Sequence, residues 1–281
     1  MSQIFGQPFE EVVKMRYSVR TYANKPLPLE IVAQLEAYIQ TLSNPFSEGL
    51  AFKLIELAHA VNAKQLGTYG MIKGAGHFVG VTVKDSAGAL EAVGYEFEQL
   101  ILFAASLGLG TCWLGGTFNK GGFAKAMDVR PDTLFPAISP IGWPEEKRLS
   151  ERLVRSVVKA DQRKPWKDLF FNDSFSEPLS EVDAGAYAFP LEMVRLAPSA
   201  SNKQPWRIVR EKNAFHFYEA VAPGYADRLG FDVQRIDMGI AACHLHLAAL
   251  DKGLNGEFHI NPPCVLNPPM NTHYVFSWVC A

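Results

Sequence analysis

A short segment near the start of the chain carries charge in an alternating pattern. It reads Arg16-Tyr17-Ser18-Val19-Arg20 and follows a brief amphipathic stretch. If the backbone is extended here, successive side chains point to opposite sides, which places Arg16, Ser18 and Arg20 together. Two guanidinium groups and a hydroxyl that face one way can bind a phosphate or another anion. The spacing alone is equally compatible with a solvated polar strand end.

A second candidate site lies in the segment Leu196–Trp206, between a predicted helix and a predicted strand. Pro198 ends the helix because its ring removes a donor and disfavours helical geometry at the preceding residue. Ser199, Ser201 and Asn202 then present short polar side chains and backbone N–H groups, which suit an oxygen-rich ligand. On local chemistry alone, an ordinary helix-to-strand turn explains this segment as well.

Two glycine-containing segments are suited to contact with a flat ring. The chain reads Thr111-Cys112-Trp113-Leu114-Gly115-Gly116 after a long predicted helix, and Pro140-Ile141-Gly142-Trp143-Pro144 at the end of an apolar strand. Because glycine has no side chain, its backbone can approach a ring closely. For the second segment, a Pro/Gly turn after a core strand is the plain alternative.

Together these segments resemble the nitroreductase family of FMN-dependent oxidoreductases. The family motifs R-x-S-x-R, G-L-G-T-x-W-x-G-G and A-P-S-x-x-N-x-Q-P-W match Arg16–Arg20, Gly108–Gly116 and Ala197–Trp206, and Arg163-Lys164-Pro165 resembles the family's closing basic site. In the family, A-P-S-x-x-N-x-Q-P-W lies in the first third of the chain, where this sequence keeps only Leu42-Ser43-Asn44. The resemblance covers nearly the whole length.

The resemblance implies bound FMN and gives each motif a role. Arg16 and Ser18 would bind the phosphate and ribityl oxygens, and Arg20 would reach the pyrimidine edge of the ring. Arg163, preferred to Lys159, would add charge at the phosphate. The implied FMN-binding residues are Arg16, Tyr17, Ser18, Arg20, Leu114, Gly115, Pro140, Ile141, Gly142, Arg163, Pro198, Ser199, Ala200 and Asn202. No catalytic side chain and no metal site is predicted.

The elements that must position these motifs occur twice. The pattern Gly239-x5-Leu245-x-Leu247-x-Ala249-x3-Gly253-Leu254 repeats Gly94-x5-Leu100-x-Leu102-x-Ala104-x3-Gly108-Leu109. Both stretches predict long central helices with the same buried face. On the second helix, His244 and His246 point apart, so core or interface histidines are expected rather than a metal pair. A last strand over Tyr274–Val279 matches an earlier one over Leu134–Ile141.

The predicted fold is α+β and nitroreductase-like, with two tandem units, residues 1–172 and 173–281, that form an intrachain pseudo-dimer. Family members are usually homodimers with flavins at the subunit interface, and this chain resembles both partners in one polypeptide. A monomer is therefore expected. One FMN per chain is also expected, because Phe170–Glu177, where a second clamp would stand, contains no Arg or Lys.

Composition excludes several other classes of protein. Hydrophobic residues make up 48% of the 281 residues and charged residues 20%, which is enough for a sizeable core. The net charge is −2, and no basic run interleaves with aromatics, which argues against a nucleic-acid surface. Glycines interrupt the uncharged run Leu100–Asn119, so a buried helix and turn are favoured over a membrane span. The four cysteines form no C-x-x-C pair, and Met1–Glu10 resembles no signal peptide, so a cytoplasmic protein with reduced thiols is expected.

The activity that the resemblance implies is a ping-pong oxidoreductase. NAD(P)H would pass a hydride to FMN, and a nitroaromatic, quinone or similar acceptor would then take the electrons. The alternatives are a non-catalytic FMN-binding or storage protein and a degenerate interaction scaffold. The physiological acceptor and the choice between NADH and NADPH stay open.

Overall fold

The structure is a computed structural model that describes residues 4–47, 49–57, 66–145, 162–222, 230–263 and 267–281. Its contacts divide the chain into a first compact unit, Lys14–Val157, and a second unit made of Met1–Val13 with Val158–Ala281. The sequence division at residue 172 remains a prediction. Residues 170–172, which that division gives to the first half, pair with a strand of the second unit.

The first unit contains a four-stranded antiparallel sheet in the order β1-β2-β4-β3. Its strands are β1 (Ala51–Glu56), β2 (His77–Lys84), β3 (Gly110–Thr111) and β4 (Thr133–Gly142). The helices of this part of the chain are α1 (Phe9–Met15, which begins before the unit boundary), α2 (Leu29–Ile39), α3 (Ala89–Ser106) and α4 (Lys120–Ala126). The strand predicted over Leu134–Gly142 is β4, and its residues from Phe135 onward are buried.

Helix α3 is the first of the two long helices that the internal repeat predicts. It is buried along most of its length, including Leu100, Leu102 and Ala104 of the repeated pattern. The helix ends at Ser106, and Gly108 just beyond it has a positive φ of 77°. The Leu109 N–H then donates to the Ala104 carbonyl at 3.0 Å, so the glycine closes the helix as a left-handed cap.

The second unit contains a five-stranded sheet in the order β5-β6-β7-β9-β8. Its strands are β5 (Phe170–Asn172), β6 (Trp206–Glu211), β7 (Ala214–Ala220), β8 (Gly256–His259) and β9 (Thr272–Cys280). Strand β5 runs parallel to β6, and the other pairs are antiparallel. The helices that the structure describes here are α5 (Glu181–Ala184), α6 (Ala188–Leu196) and α7 (Val233–Asp251). The predicted α+β class with two α+β units is therefore confirmed.

Helix α7 is the second long helix of the repeat. Gly239, Leu245 and Ala249 are buried, and Gly253 follows its end with a φ of 70°. Asp232 caps its start by accepting a hydrogen bond from the Gln234 N–H at 3.0 Å. His244 is a core histidine, as expected, because it is buried with Nδ1 3.0 Å from the Met193 carbonyl oxygen.

The other histidine of α7 gives a pH-dependent contribution to stability. His246 contacts the rings of Phe258 and Trp278, with centroid separations of 5.9 and 5.2 Å. Burial lowers the pKa of the His246 imidazole below its ordinary value. The unfolded chain therefore takes up this proton near pH 6.5, whereas the folded chain takes it up at lower pH, so stability falls as the pH drops below about 6.5.

We expect His246→Phe to reduce the loss of stability that the protein shows at low pH. The wild type should lose more of its free energy of unfolding between pH 7 and pH 5 than the variant does, because phenylalanine has no proton to gain. Urea unfolding at several pH values measures the difference. Two parallel stability curves would contradict this role for His246.

The described residues were compared with the requirements of a membrane span and of a metal site. No helix in the described ranges combines the length and the apolar character that crossing a membrane requires. Across the same residues, no three or more His, Cys, Asp or Glu side chains are grouped so as to hold a metal ion. No disulfide bond involves Cys112, Cys243 or Cys280 among the described residues, and Cys264 and Lys159 lie outside them.

Candidate functional site

In the first unit, the segment Arg16–Arg20 is tied to the short strand β3. Ser18 forms a parallel bridge with Thr111, and the Val19 N–H donates to the Thr111 carbonyl at 2.8 Å. Strand β3 in turn pairs with the end of β4, where Gly110 faces Gly142 and Thr111 faces Ile141. The structure thus brings the predicted anion clamp close to Pro140–Gly142, which form the end of strand β4 rather than a Pro/Gly turn.

A glycine makes this close approach possible. A Cβ atom at Gly110 would lie 2.7 Å from Cγ2 and 2.9 Å from Cβ of Val19, closer than side-chain atoms pack. Just beyond, Leu114 and Ile138 exchange two backbone hydrogen bonds of 2.9 and 3.0 Å. These bonds place Leu114 and the following Gly115 beside β4, in the same unit as Arg16–Arg20.

We expect Gly110→Ala to disturb this arrangement. The added methyl group must push Val19 and the segment that carries it away from β3, which should cost about 1–3 kcal/mol of stability. Gly67→Ala is the matched control, because nothing lies within 4 Å of a Cβ atom there. Chemical denaturation measures both variants, and an equal effect from the two would show that the Gly110 contact is unimportant.

A buried carboxylate holds the first arginine of the segment. Glu98 lies on α3, where its fully buried side chain accepts a hydrogen bond from Trp113 Nε1 at 2.8 Å. Its other oxygen is 3.8 Å from Nε of Arg16, whose side chain is only 8% exposed. Arg16 is thus oriented by a countercharge. No site role for Glu98 is predicted from the sequence, although a charged residue within a long apolar helix is a usable signal.

The residue that follows strand β4 presents a buried donor. Trp143 Nε1 is inaccessible to solvent and has no hydrogen-bond partner in the described part of the chain. Lys25 Nζ lies 5.5 Å from the centroid of the Trp143 ring. A buried indole N–H without an acceptor costs free energy, so an acceptor supplied by a ligand would stabilise it.

In the second unit, the predicted turn adopts an unusual backbone. Ser201, Asn202 and Gln204 have φ values of 48°, 55° and 49°, the left-handed region that side chains other than glycine seldom occupy. The Ser199 hydroxyl accepts from the Gln204 N–H at 2.8 Å. The buried Gln204 side chain donates to the Asn202 backbone carbonyl and side-chain oxygen at 3.1 and 3.2 Å. Side chains of the motif therefore hold the turn in shape.

Arg163 joins the same turn. Its Nη2 and Nε donate to the Leu196 carbonyl at 3.0 and 3.4 Å, which satisfies an acceptor at the end of α6. Its Nη1 donates to Oδ1 of Asn202 at 3.4 Å. Next to it, the Lys164 N–H donates to Gln204 Oε1 at 2.8 Å. The structure thus gives Arg163 a part in supporting the turn, which the motif alone does not reveal.

The fourteen predicted site residues fall into two groups. Each group is assembled within one unit, and the proposed contact of each residue with FMN stays a prediction. The first unit holds Arg16, Tyr17, Ser18, Arg20, Leu114, Gly115, Pro140, Ile141 and Gly142, and the second holds Arg163, Pro198, Ser199, Ala200 and Asn202.

Comparison with known proteins places the chain in a family. Residues 9–249 match a family model described as "Putative TM nitroreductase". The chain is similar in structure to a "putative nitroreductase" of Thermotoga maritima, with 19% identity, a TM-score of 0.61, and coverage of 97% of this chain and 94% of that chain. This likeness shows a shared nitroreductase fold.

A nitroreductase with bound FMN from Bacteroides fragilis aligns with 51% of this chain and 91% of its own, at 20% identity and a TM-score of 0.40. No curated protein matches the chain. Because the family model covers most of the sequence, the chain belongs to the family described as "Putative TM nitroreductase".

Proposed function

We propose that this protein is an FMN-dependent oxidoreductase that transfers a hydride from NAD(P)H, through bound FMN, to a nitroaromatic, quinone or similar acceptor. The observation that carries the proposal is the segment Arg16–Arg20, which is fixed on β3 beside Pro140–Gly142 at the end of β4. Family membership supports the same activity.

The residues of the first unit fit FMN chemically. Guanidinium groups suit a phosphate dianion, and Arg16 and Arg20 place two of them on the clamp segment. The missing side chain at Gly110 lets the clamp segment lie against β3. The buried Trp143 N–H is a donor that a ring carbonyl oxygen would satisfy.

Under this proposal the chain binds and orients, and FMN when bound supplies the hydride and electron chemistry. Arg16 and Ser18 hold the phosphate and ribityl oxygens. Arg20 places positive charge at the pyrimidine edge, where it stabilises negative charge on the ring. The backbone of Gly115 and Gly142 contacts the ring. A contribution from the turn Pro198–Asn202 follows from the family resemblance.

An anaerobic absorption spectrum tests the proposal. Purified protein, reconstituted with FMN and desalted, should show a flavin spectrum that NADH or NADPH bleaches and that a quinone or nitroaromatic then restores. Free FMN at the same concentration is the control for uncatalysed reduction. A flavin that is bound but not reduced would indicate a storage protein, and a colourless protein would indicate a scaffold; either result overturns the enzyme proposal.

We propose further that the chain acts as a cytoplasmic monomer. The support is the presence in one polypeptide of motifs that the family's two partners usually provide. Light scattering coupled to size-exclusion chromatography tests the oligomeric state, and a mass of twice the chain's 31.1 kDa would contradict a monomer.

A further inference from the structure

A buried acid of the long helix α7 contacts the Ser199–Asn202 turn. Asp237 is 2% exposed, and its Oδ1 accepts a hydrogen bond from the Ala200 N–H at 2.9 Å. Its Oδ2 is also buried and has no hydrogen-bond partner among the described residues. The Ala200 N–H opens the turn, and such N–H groups have no partner within the turn itself.

The hydrogen bond between Asp237 and Ala200 requires a buried carboxyl group, which lowers the stability of the fold. Burial raises the pKa of the Asp237 carboxyl well above its usual range, with the Ala200 hydrogen bond acting in the opposite direction. A buried carboxyl without a cationic partner costs stability, and an apolar residue of similar size would avoid that cost. The turn that it supports contains two strained residues, Ser201 and Asn202. Strain of this kind occurs where a defined backbone conformation serves function.

A related contact occurs in the first unit. Glu96 of α3 is buried, and its Oε1 accepts from Asn44 Nδ2 at 2.5 Å. Asn44 lies in the turn that follows α2, where its Oδ1 accepts from the N–H groups of Phe46 and Ser47. When Gly94 is aligned with Gly239, Glu96 and Asp237 lie one helical turn apart on the same face. Helix α3 therefore places an acid against the turn that follows α2, and α7 places one against the turn that follows α6.

We propose that Asp237 is a positioning residue that fixes the Ser199–Asn202 turn in the conformation that binds the flavin. This inference rests on the proposed function. Asp237 acts through the Ala200 N–H and does not itself contact the cofactor. The role requires a hydrogen-bond acceptor at this position and does not require a negative charge.

Two substitutions separate these requirements. Asp237→Ala removes the acceptor and leaves the part-buried Ala200 N–H without this partner, so FMN affinity should fall about tenfold or more. Asp237→Asn keeps an acceptor oxygen in place, so its FMN affinity should stay within about threefold of the wild type. Asp232→Ala is the control, because Asp232 caps the same helix without contacting the turn. It should lower the melting temperature and leave FMN affinity unchanged.

Flavin fluorescence titration measures the affinities, and hydrogen exchange of the turn measures positioning without FMN. In the cofactor-free full chain, a peptide that contains Ala200 should exchange faster in Asp237→Ala than in the wild type and Asp237→Asn. Equal affinity or exchange in the alanine variant and the wild type overturns the inference. An Asp237→Asn variant whose FMN affinity falls about tenfold or more also overturns it. This second result decides the matter if Asp237→Ala does not fold. If the wild type binds no FMN, the proposed function fails, whereas the exchange comparison still tests the positioning role.

Discussion

Replacing Arg16 with alanine is expected to weaken FMN binding by about 2–5 kcal/mol, the usual cost of removing one partner of a buried charged contact. The Arg16 side chain is nearly buried beside Glu98. Lys14→Ala is the matched control, since Lys14 is a neighbouring cation that is exposed to solvent. A flavin titration compares the two variants, and equal losses would show that the clamp is wrongly assigned.

Arg16→Ala also lowers stability through Glu98, and this effect must be separated from the loss of FMN affinity. Without Arg16, the fully buried Glu98 loses its nearby countercharge, and breaking a buried pair typically costs about 3–5 kcal/mol. Adding Glu98→Gln removes that carboxylate and keeps an acceptor for Trp113 Nε1. We expect the double variant to regain stability without regaining FMN affinity. Recovery of affinity would mean that Arg16 serves only to neutralise Glu98.

Replacing Arg163 with alanine is expected to lower the free energy of unfolding by about 1.5–3 kcal/mol, the range for hydrogen bonds from charged groups. The Leu196 carbonyl and the Asn202 side chain both lose a donor. FMN binding should weaken in parallel, because the turn loses its support. Lys203→Ala is the control: it removes an exposed cation from the same turn and should change neither property appreciably.

Arg163→Lys separates charge from geometry. An ammonium group keeps the positive charge but cannot donate as a planar fork to the Leu196 carbonyl. We therefore expect the lysine variant to behave more like the alanine variant than like the wild type in both urea unfolding and FMN titration. A lysine variant with wild-type stability and affinity would instead favour a simple phosphate contact.

The parts of the fold that periodicity governs could be predicted from the sequence. The glycine-bounded pattern of α3 recurs in α7, and each helix is followed by a left-handed glycine, Gly108 or Gly253. Strand β7 cannot be predicted from periodicity, because six of its seven residues are buried and no alternation of apolar and polar residues marks it. Strand β5 has three residues and is defined by its pairing with β6, which local sequence does not encode.

For the candidate site, residue types could be predicted more readily than their partners. The motif at Ala197–Trp206 predicts a functional turn, but the hydrogen bonds by which Arg163 and Asp237 support that turn join residues distant in sequence and are seen only in the structure. Glu98 is missed for the same reason, since Arg16 is far from it along the chain. The motif at Arg163 therefore predicts a phosphate role but does not reveal the Leu196 carbonyl as a partner of its guanidinium group.

The structure also bears on the number of flavins. A second site would need a glycine-rich turn after Leu254, yet Gly256 begins strand β8 there. A Cβ atom at Gly256 would lie 2.5 Å from Cε2 of Trp278, so that the tryptophan ring already fills this space. The segment Phe170–Glu177, where the second clamp would stand, has no Arg or Lys to bind a phosphate.

Measuring the flavin content of the reconstituted protein tests the central claim most directly. The purified chain is incubated with excess FMN and desalted, and the released flavin is compared with protein concentration from amino-acid analysis. We predict one FMN per chain, held by the residues around Arg16 and reduced by NAD(P)H. Close to zero would contradict an FMN-binding protein, and close to two would contradict a single site.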